Sequence, residues 1–112
     1  LYKYLRFLLI FFSFHGLFGQ GETSNWYFGN GAGITFNNDG TVTPLSGGRI
    51  NTFEGCTSIS DGVGNLLLYT DGITVYDRTH NIMQGGSGLY GDPSSTQSAI
   101  VVQKPQDPNI LY

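Results

Sequence analysis

The stretch Asn65-Leu66-Leu67-Leu68-Tyr69-Thr70-Asp71-Gly72-Ile73-Thr74-Val75-Tyr76-Asp77 constrains this chain more than any other. It reads as two strands joined by Asp71-Gly72. A tight hairpin turn of the primed type needs positive φ at both central residues, which Asp tolerates and Gly adopts freely. That turn places Leu68 opposite Val75 and Leu67 opposite Tyr76. Both faces of the hairpin are then apolar near its middle, so the sheet needs cover on both sides. A fold built around this hairpin must supply a second and a third layer.

The rest of the chain carries the same signature. Beyond residue 20 no stretch has helical periodicity, while Gly, Pro, Asn and Asp interrupt short apolar runs every few residues, an all-β pattern. Strands are expected at 25–28, 34–36, 41–45, 57–60, 66–70, 73–77 and 98–103, with a further one starting at Ile110. Asp39-Gly40 reads as a second two-residue turn, setting Phe36 opposite Thr43 and Ile34 opposite Leu45. Its clean alternation predicts a half-exposed hairpin, and Pro44 suits an edge strand because it has no N–H to donate. Asp61-Gly62-Val63-Gly64 turns the chain into the central hairpin. The segment 78–91 reads as looser.

Two strand-turn-strand units, near 57–77 and 98–112, suggest a repeat of about 40 residues, which matches a propeller blade better than a sandwich. Closing a propeller takes about 4–8 blades, and residues 20–112 hold one to two. The expectation is therefore a partial β-propeller-like domain that stops inside a hairpin. Taken alone, these residues are expected to be partly disordered or aggregated, because an apolar face and a strand edge stay uncovered.

Residues 1–19 read as a secretory signal peptide. Lys3 and Arg6 precede an apolar run over 7–12 that continues weakly to Phe18, and Gly19-Gln20 suits cleavage. The run is shorter than the about 20 residues that span a bilayer. Without the leader, Arg49, Arg78 and Lys104 stand against eight acidic residues, a net charge of −5. That balance argues against a nucleic-acid or anionic-membrane surface. Cys56 is the only cysteine, so no internal disulfide forms, and it reads as a small buried residue. A pairing with His80 has no support in the spacing.

Motifs that could carry chemistry fail on inspection. Asn37-Asn38-Asp39-Gly40 has the outline of a calcium loop, but aligning Gly40 at the sixth position puts Thr35 first and Ser46 twelfth, and both ends fail as ligands. Gly29-Asn30-Gly31-Ala32-Gly33 is glycine-rich, yet no helix follows to hold a phosphate. Asp61 and Asp71 precede Gly and read as turn residues; Asp77 shares a face with Leu68 and Val75; Glu54 has no partner for a carboxylate pair. The reading has no catalytic residue, no metal site and no cofactor. Its candidate ligand contacts are Asp92, Ser94, Ser95, Thr96 and Gln97, a polar run beside an apolar strand, whose competing explanation is an Asp-Pro turn with locally satisfied hydroxyls.

Four segments, Asn25-Trp26-Tyr27-Phe28-Gly29, Glu54-Gly55-Cys56-Thr57-Ser58-Ile59-Ser60-Asp61, Gly64-Asn65-Leu66-Leu67-Leu68-Tyr69-Thr70-Asp71-Gly72 and Gly91-Asp92-Pro93-Ser94-Ser95-Thr96-Gln97-Ser98-Ala99-Ile100, are familiar together. They resemble the amino-terminal region of large secreted Bacteroidetes proteins, gliding and non-gliding. There a propeller-like region often precedes PKD repeats and a carboxy-terminal sorting or gliding-associated domain. The resemblance covers nearly all of 20–112 and is most specific at Asp92-Pro93-Ser94-Ser95-Thr96-Gln97-Ser98. It implies export and passage to the outer cell surface by the type IX pathway, and it carries over no catalytic residue. The expected function is a non-catalytic surface module for adhesion, binding a glycan or a protein. The alternatives are the scaffold of an exported hydrolase or a structural spacer.

Overall fold

The computed structural model describes residues 21–112; the expected signal segment lies outside them. Eight short strands form three antiparallel sheets, with two single 3₁₀ turns and no longer helix among the described residues. Sheet A has the order β1 (Asn25–Tyr27), β2 (Gly33–Phe36), β3 (Val42–Leu45). Sheet B has β4 (Thr57–Ser60), β5 (Leu66–Thr70), β6 (Val75–Asp77), and sheet C pairs β7 (Gln103–Lys104) with β8 (Asp107–Leu111). Pro44 lies on β3, an edge strand, as its missing donor requires.

The central hairpin forms, but in another register. Tyr69 faces Tyr76 and Thr70 faces Val75, so Leu68 pairs with Asp77 rather than Val75, and Leu67 does not oppose Tyr76. The turn is longer than two residues because side chains splice it open. Thr70 Oγ1 accepts the Gly72 N–H (2.9 Å) and donates to the Thr74 carbonyl (2.8 Å). Asp71 Oδ1 accepts the N–H groups of Ile73 and Thr74. Gly72 has φ +84°, but Asp71 has no positive φ, so the turn is not of the primed kind. The slip is two residues, which preserves which side chains share a face.

The Asp39-Gly40 hairpin slips by one residue, which does change faces. Phe36 pairs with Val42, not Thr43, and Ile34 with Pro44, not Leu45. The cause is a five-residue turn over 37–41. The Asn37 N–H bonds the Thr41 carbonyl, the Gly40 N–H bonds the Asn37 carbonyl, and Asp39 Oδ1 accepts the Thr41 N–H. The same frame recurs at 61–65 and 77–81, with N–H to C=O bonds from Asp61 to Asn65, Gly64 to Asp61, Asp77 to Asn81 and His80 to Asp77. The fourth residue is left-handed each time: Gly40, Gly64 and His80. His80 adopts at φ +66° a conformation that glycine takes freely.

One face of sheet B carries the core, and on the other Leu68 and Thr70 are buried beside an open cleft. On one face Tyr69, with no exposed surface, stacks on Tyr27 (4.5 Å, 18°) and on Tyr76 (5.3 Å, 19°). Ile50 completes this core, with Leu45, Cys56 and Leu66 packed against it. The opposite face, with Leu68, Thr70 and Val75, looks onto 98–101, Leu89 and Leu111. There Thr57 Oγ1 donates to the Ala99 carbonyl (2.6 Å) and Ser98 Oγ to the Gly55 carbonyl (2.8 Å).

Of the expected strand 98–103 only Gln103 lies in a strand, as the first residue of β7. Ala99 presents its carbonyl to a side chain instead of a neighbouring strand, and the ladder beyond β7 reaches only Val102, paired with Tyr112. The turn is Pro105-Gln106, with Gln106 at φ +66°, and β8 starts at Asp107, earlier than Ile110.

β1 lies across β4. Its outer backbone edge meets side chains instead of a strand: Ser58 Oγ accepts the Tyr27 N–H (3.4 Å) and donates to the Asn25 carbonyl (2.8 Å), while the Cys56 thiol donates to the Tyr27 carbonyl (3.1 Å). Buried Asn25 ties the joint further, donating to Ser60 Oγ and the Gly64 carbonyl and accepting from Thr35 Oγ1.

Candidate functional site

The candidate run 92–97 folds as an Asp-Pro turn. Asp92 Oδ1 accepts the Ser94 N–H (2.8 Å) and the Asp92 carbonyl accepts the Ser95 N–H (3.0 Å). Backbone bonds dock the run on the loop before β4: the Phe53 N–H to the Pro93 carbonyl (3.1 Å) and the Gly55 N–H to the Ser95 carbonyl (2.8 Å). Thr52 Oγ1 also donates to the Pro93 carbonyl. Asp92, Ser94, Thr96 and Gln97 remain exposed and Ser95 half-buried, so the run fastens two loops and shows its polar tips to solvent.

The carboxylates are spread among turns. Asp39, Asp61 and Asp77 each hold backbone N–H groups and neighbouring side-chain donors, which keep their carboxyls below the ordinary range. Hydrogen bonds from Thr41, Asn65 and Thr79 are the largest cause in each. Such bonds favour the charged form and suit a structural anion, not a proton donor. Asp71 caps its own turn. Glu54 is exposed, with Thr96 Oγ1 at 3.5 Å. No three metal-ligating side chains converge among the described residues. The Cys56 thiol is pushed up by burial and by the charge of Asp71, away from nucleophilic character. The Cys56 thiol bonds the Tyr27 carbonyl, while His80 Nδ1 lies 2.8 Å from the Tyr69 hydroxyl.

A different surface gathers recognition chemistry. Trp26, Phe28 and Phe36 are 47%, 37% and 43% exposed on the outer face of sheet A. Pairing of Trp26 with Ile34 and of Phe36 with Val42 puts Ile34, Val42 and Pro44 on that face as well. The aromatic rings meet edge to face, Trp26 to Phe36 at 5.6 Å and 70°, and Trp26 to Phe28 at 6.4 Å and 66°. The indole Nε1–H donates to the Thr23 carbonyl (2.8 Å), which fixes the ring.

Trp26 borders two clefts. One, of about 440 Å³, runs to Phe36, Asn37, Asn38 and Gly40. The other, of about 400 Å³, runs to Phe28, Cys56, Thr57 and Ser58. Among the described residues neither lining holds a charged side chain. Sequence reasoning found the aromatic strand and missed this surface. The signal was the spacing of Trp26 and Phe28, two apart and so on one face, but joining Phe36 to them required the β1–β2 register.

Compared with known protein families, curated proteins and solved structures, the chain matches none.

Proposed function

We propose that this chain is part of a non-catalytic extracellular module of propeller-like build, working in adhesion within a larger secreted protein and binding a glycan or a protein. The observation that carries the binding role is the Trp26 surface, an exposed and fixed aromatic group beside two clefts. Concave sites with an aromatic lining and a few polar groups are where ligands are held. Isolated exposed apolar residues need no explanation, but a contiguous apolar patch marks an interaction surface.

Two features support the propeller-like build. β1 lies over β4, and β4 in turn offers Thr57 to Ala99, so the first strands of sheets A and B and the segment leading to sheet C follow one another side by side. One face of sheet B is packed, as a blade's is, and the other borders a cleft beside 98–101. The location rests on the resemblance of four segments to secreted Bacteroidetes surface proteins, with the type IX route it implies.

The test is antibody labelling of intact cells that express the full-length protein, with adhesion measured before and after its gene is deleted. Labelling at the surface and a loss of adhesion are expected. A cytoplasmic protein would overturn the location. A hydrolytic activity abolished by Glu54→Gln would overturn the non-catalytic role.

A further inference from the structure

We infer that residues 87–97 form a strap that lifts from sheet B as one unit while the strands stay folded. This goes beyond the binding-module reading and stands without it.

The strap is held at two docks. At the first it lies along the turn between β5 and β6, where the Leu89 N–H donates to the Ile73 carbonyl (3.0 Å) and the Gly91 N–H to the Gly72 carbonyl (3.0 Å). At the second it lies along the loop before β4. There the Pro93 carbonyl accepts the Phe53 N–H (3.1 Å) and the Thr52 hydroxyl (2.9 Å), and the Ser95 carbonyl accepts the Gly55 N–H (2.8 Å). Both docks bring backbone against backbone. A Cβ on Gly91 would collide with the Gly72 backbone, and one on Gly55 with the Ser95 carbonyl oxygen.

A stiff piece joins the docks. Asp92 Oδ1 takes the Ser94 N–H, the Asp92 carbonyl takes the Ser95 N–H, and the Pro93 ring fixes its own φ. Gly91 and Pro93, one in each dock, flank Asp92 directly. Movement at one dock is therefore levered into the other.

What holds the strap is polar. No residue from 87 to 97 is buried, and Leu89 and Tyr90 are exposed. Hydrogen bonds of this kind each contribute little net. Segments with few buried apolar contacts open at free energies below that of the whole fold. Sheet B keeps Leu68, Tyr69 and Thr70 buried and has its own backbone ladder.

The two ends of the strap differ. Gly88, at φ +70°, is a pivot near its start. Beyond its other end Ser98 Oγ donates to the Gly55 carbonyl and Thr57 Oγ1 to the Ala99 carbonyl, which pin the chain where it rejoins sheet B. Leu89 lines the cleft of about 360 Å³ that it shares with Leu68, Val75 and Leu111. Lifting the strap takes Leu89 off that rim, so the strap is the movable wall of the cleft.

Amide hydrogen exchange of the full-length protein, resolved to single residues, tests this. The amides of Phe53, Gly55, Leu89 and Gly91 should share one protection factor, roughly tenfold or more below that of β5. Thr52→Val removes a donor from the second dock alone. Gly91→Ala forces the first dock alone apart. Each variant should speed exchange by about twofold or more at all four amides and leave β5 unchanged.

A change confined to the dock that carries the substitution would overturn the inference, because two independent loops behave that way. So would an equal change in β5, no change at either dock, or four amides without protection in the parent protein. If Gly91→Ala does not fold, the response of Leu89 and Gly91 to Thr52→Val decides alone.

Discussion

Tyr69 and His80 should be energetically coupled, and the coupling should decide the sign of a substitution. Tyr69 is fully buried, its oxygen accepts the Arg49 N–H (3.1 Å), and His80 Nδ1 lies 2.8 Å away. With the Arg49 N–H donating, the Tyr69 O–H is placed to donate to Nδ1. His80 meanwhile holds φ +66°, which costs a non-glycine residue about 1–2 kcal/mol. Replacing His80 by Gly removes that cost. It also removes the bond to Tyr69, about 0.5–1.5 kcal/mol, and edge contacts with Tyr27 and Tyr69 of about 0.5–1.5 kcal/mol. The terms nearly cancel, so His80→Gly should be close to neutral or mildly destabilising. In a Tyr69→Phe background the bond is already gone, and the same change should be more favourable by about 1 kcal/mol. Tyr69→Phe alone should cost about 1–2 kcal/mol, since it leaves the Arg49 N–H and Nδ1 to find water. Denaturant unfolding of the intact protein and its three variants closes the cycle. Additivity within about 0.3–0.5 kcal/mol would refute the reasoning, because independent sites behave that way.

Gly72→Val should destabilise the protein by about 2 kcal/mol or more, since a β-branched residue resists φ +84° and its Cβ would meet the Ser98 carbonyl oxygen at 2.6 Å; a thermal midpoint equal to the parent's would refute this. Asp39, Asp61 and Asp77 have lowered carboxyl pKa values in the folded state. The unfolded chain therefore binds more protons as pH drops through the carboxylate range, and stability present above that range should be lost as pH falls through the folded values. Asp61→Asn keeps an acceptor oxygen for Val63 and Asn65 but removes one titrating group, so urea midpoints measured against pH should fall less steeply on acidification. Cys56 should react with a thiol reagent at neutral pH more slowly than a free cysteine and speed up on unfolding, because burial and Asp71 raise its pKa and Tyr27 takes its proton bond.

The strands were legible because apolar runs bounded by Gly and Asp announce them: β4 and β5 begin and end where the sequence places them. Their registers were not. Asp-Gly looks like a whole turn, yet Thr70 and Asp71 recruit further backbone groups, and Asp39 does the same through Thr41. A hydroxyl or carboxylate two residues from a turn can lengthen it, and sequence spacing does not show which backbone N–H it will take. The run 98–103 reads as a strand from its apolar content; Thr57, 42 residues before Ala99, claims the Ala99 carbonyl. The reading of 92–97 as a local turn was legible from Asp92-Pro93, whereas its docking on Phe53 and Gly55 depends on contacts distant in sequence. Trp26 was legible as a strand residue. Its surface was not, because Phe36 and Asn37 reach it across the Gly29–Gly31 turn through the β1–β2 register.

The joint between β1 and β4 has a mechanical consequence. Ser58 and Cys56 hold the edge of β1 by side-chain bonds, with no ladder of backbone bonds running from sheet A into sheet B. A load pulling the two sheets apart meets these bonds, those of Asn25 and the Tyr27–Tyr69 stack, and each sheet keeps its own backbone pairing while they give way. Sheet A can then detach as a unit and reseat when the tension drops. Under tension the seam, and not the strands, is the fuse.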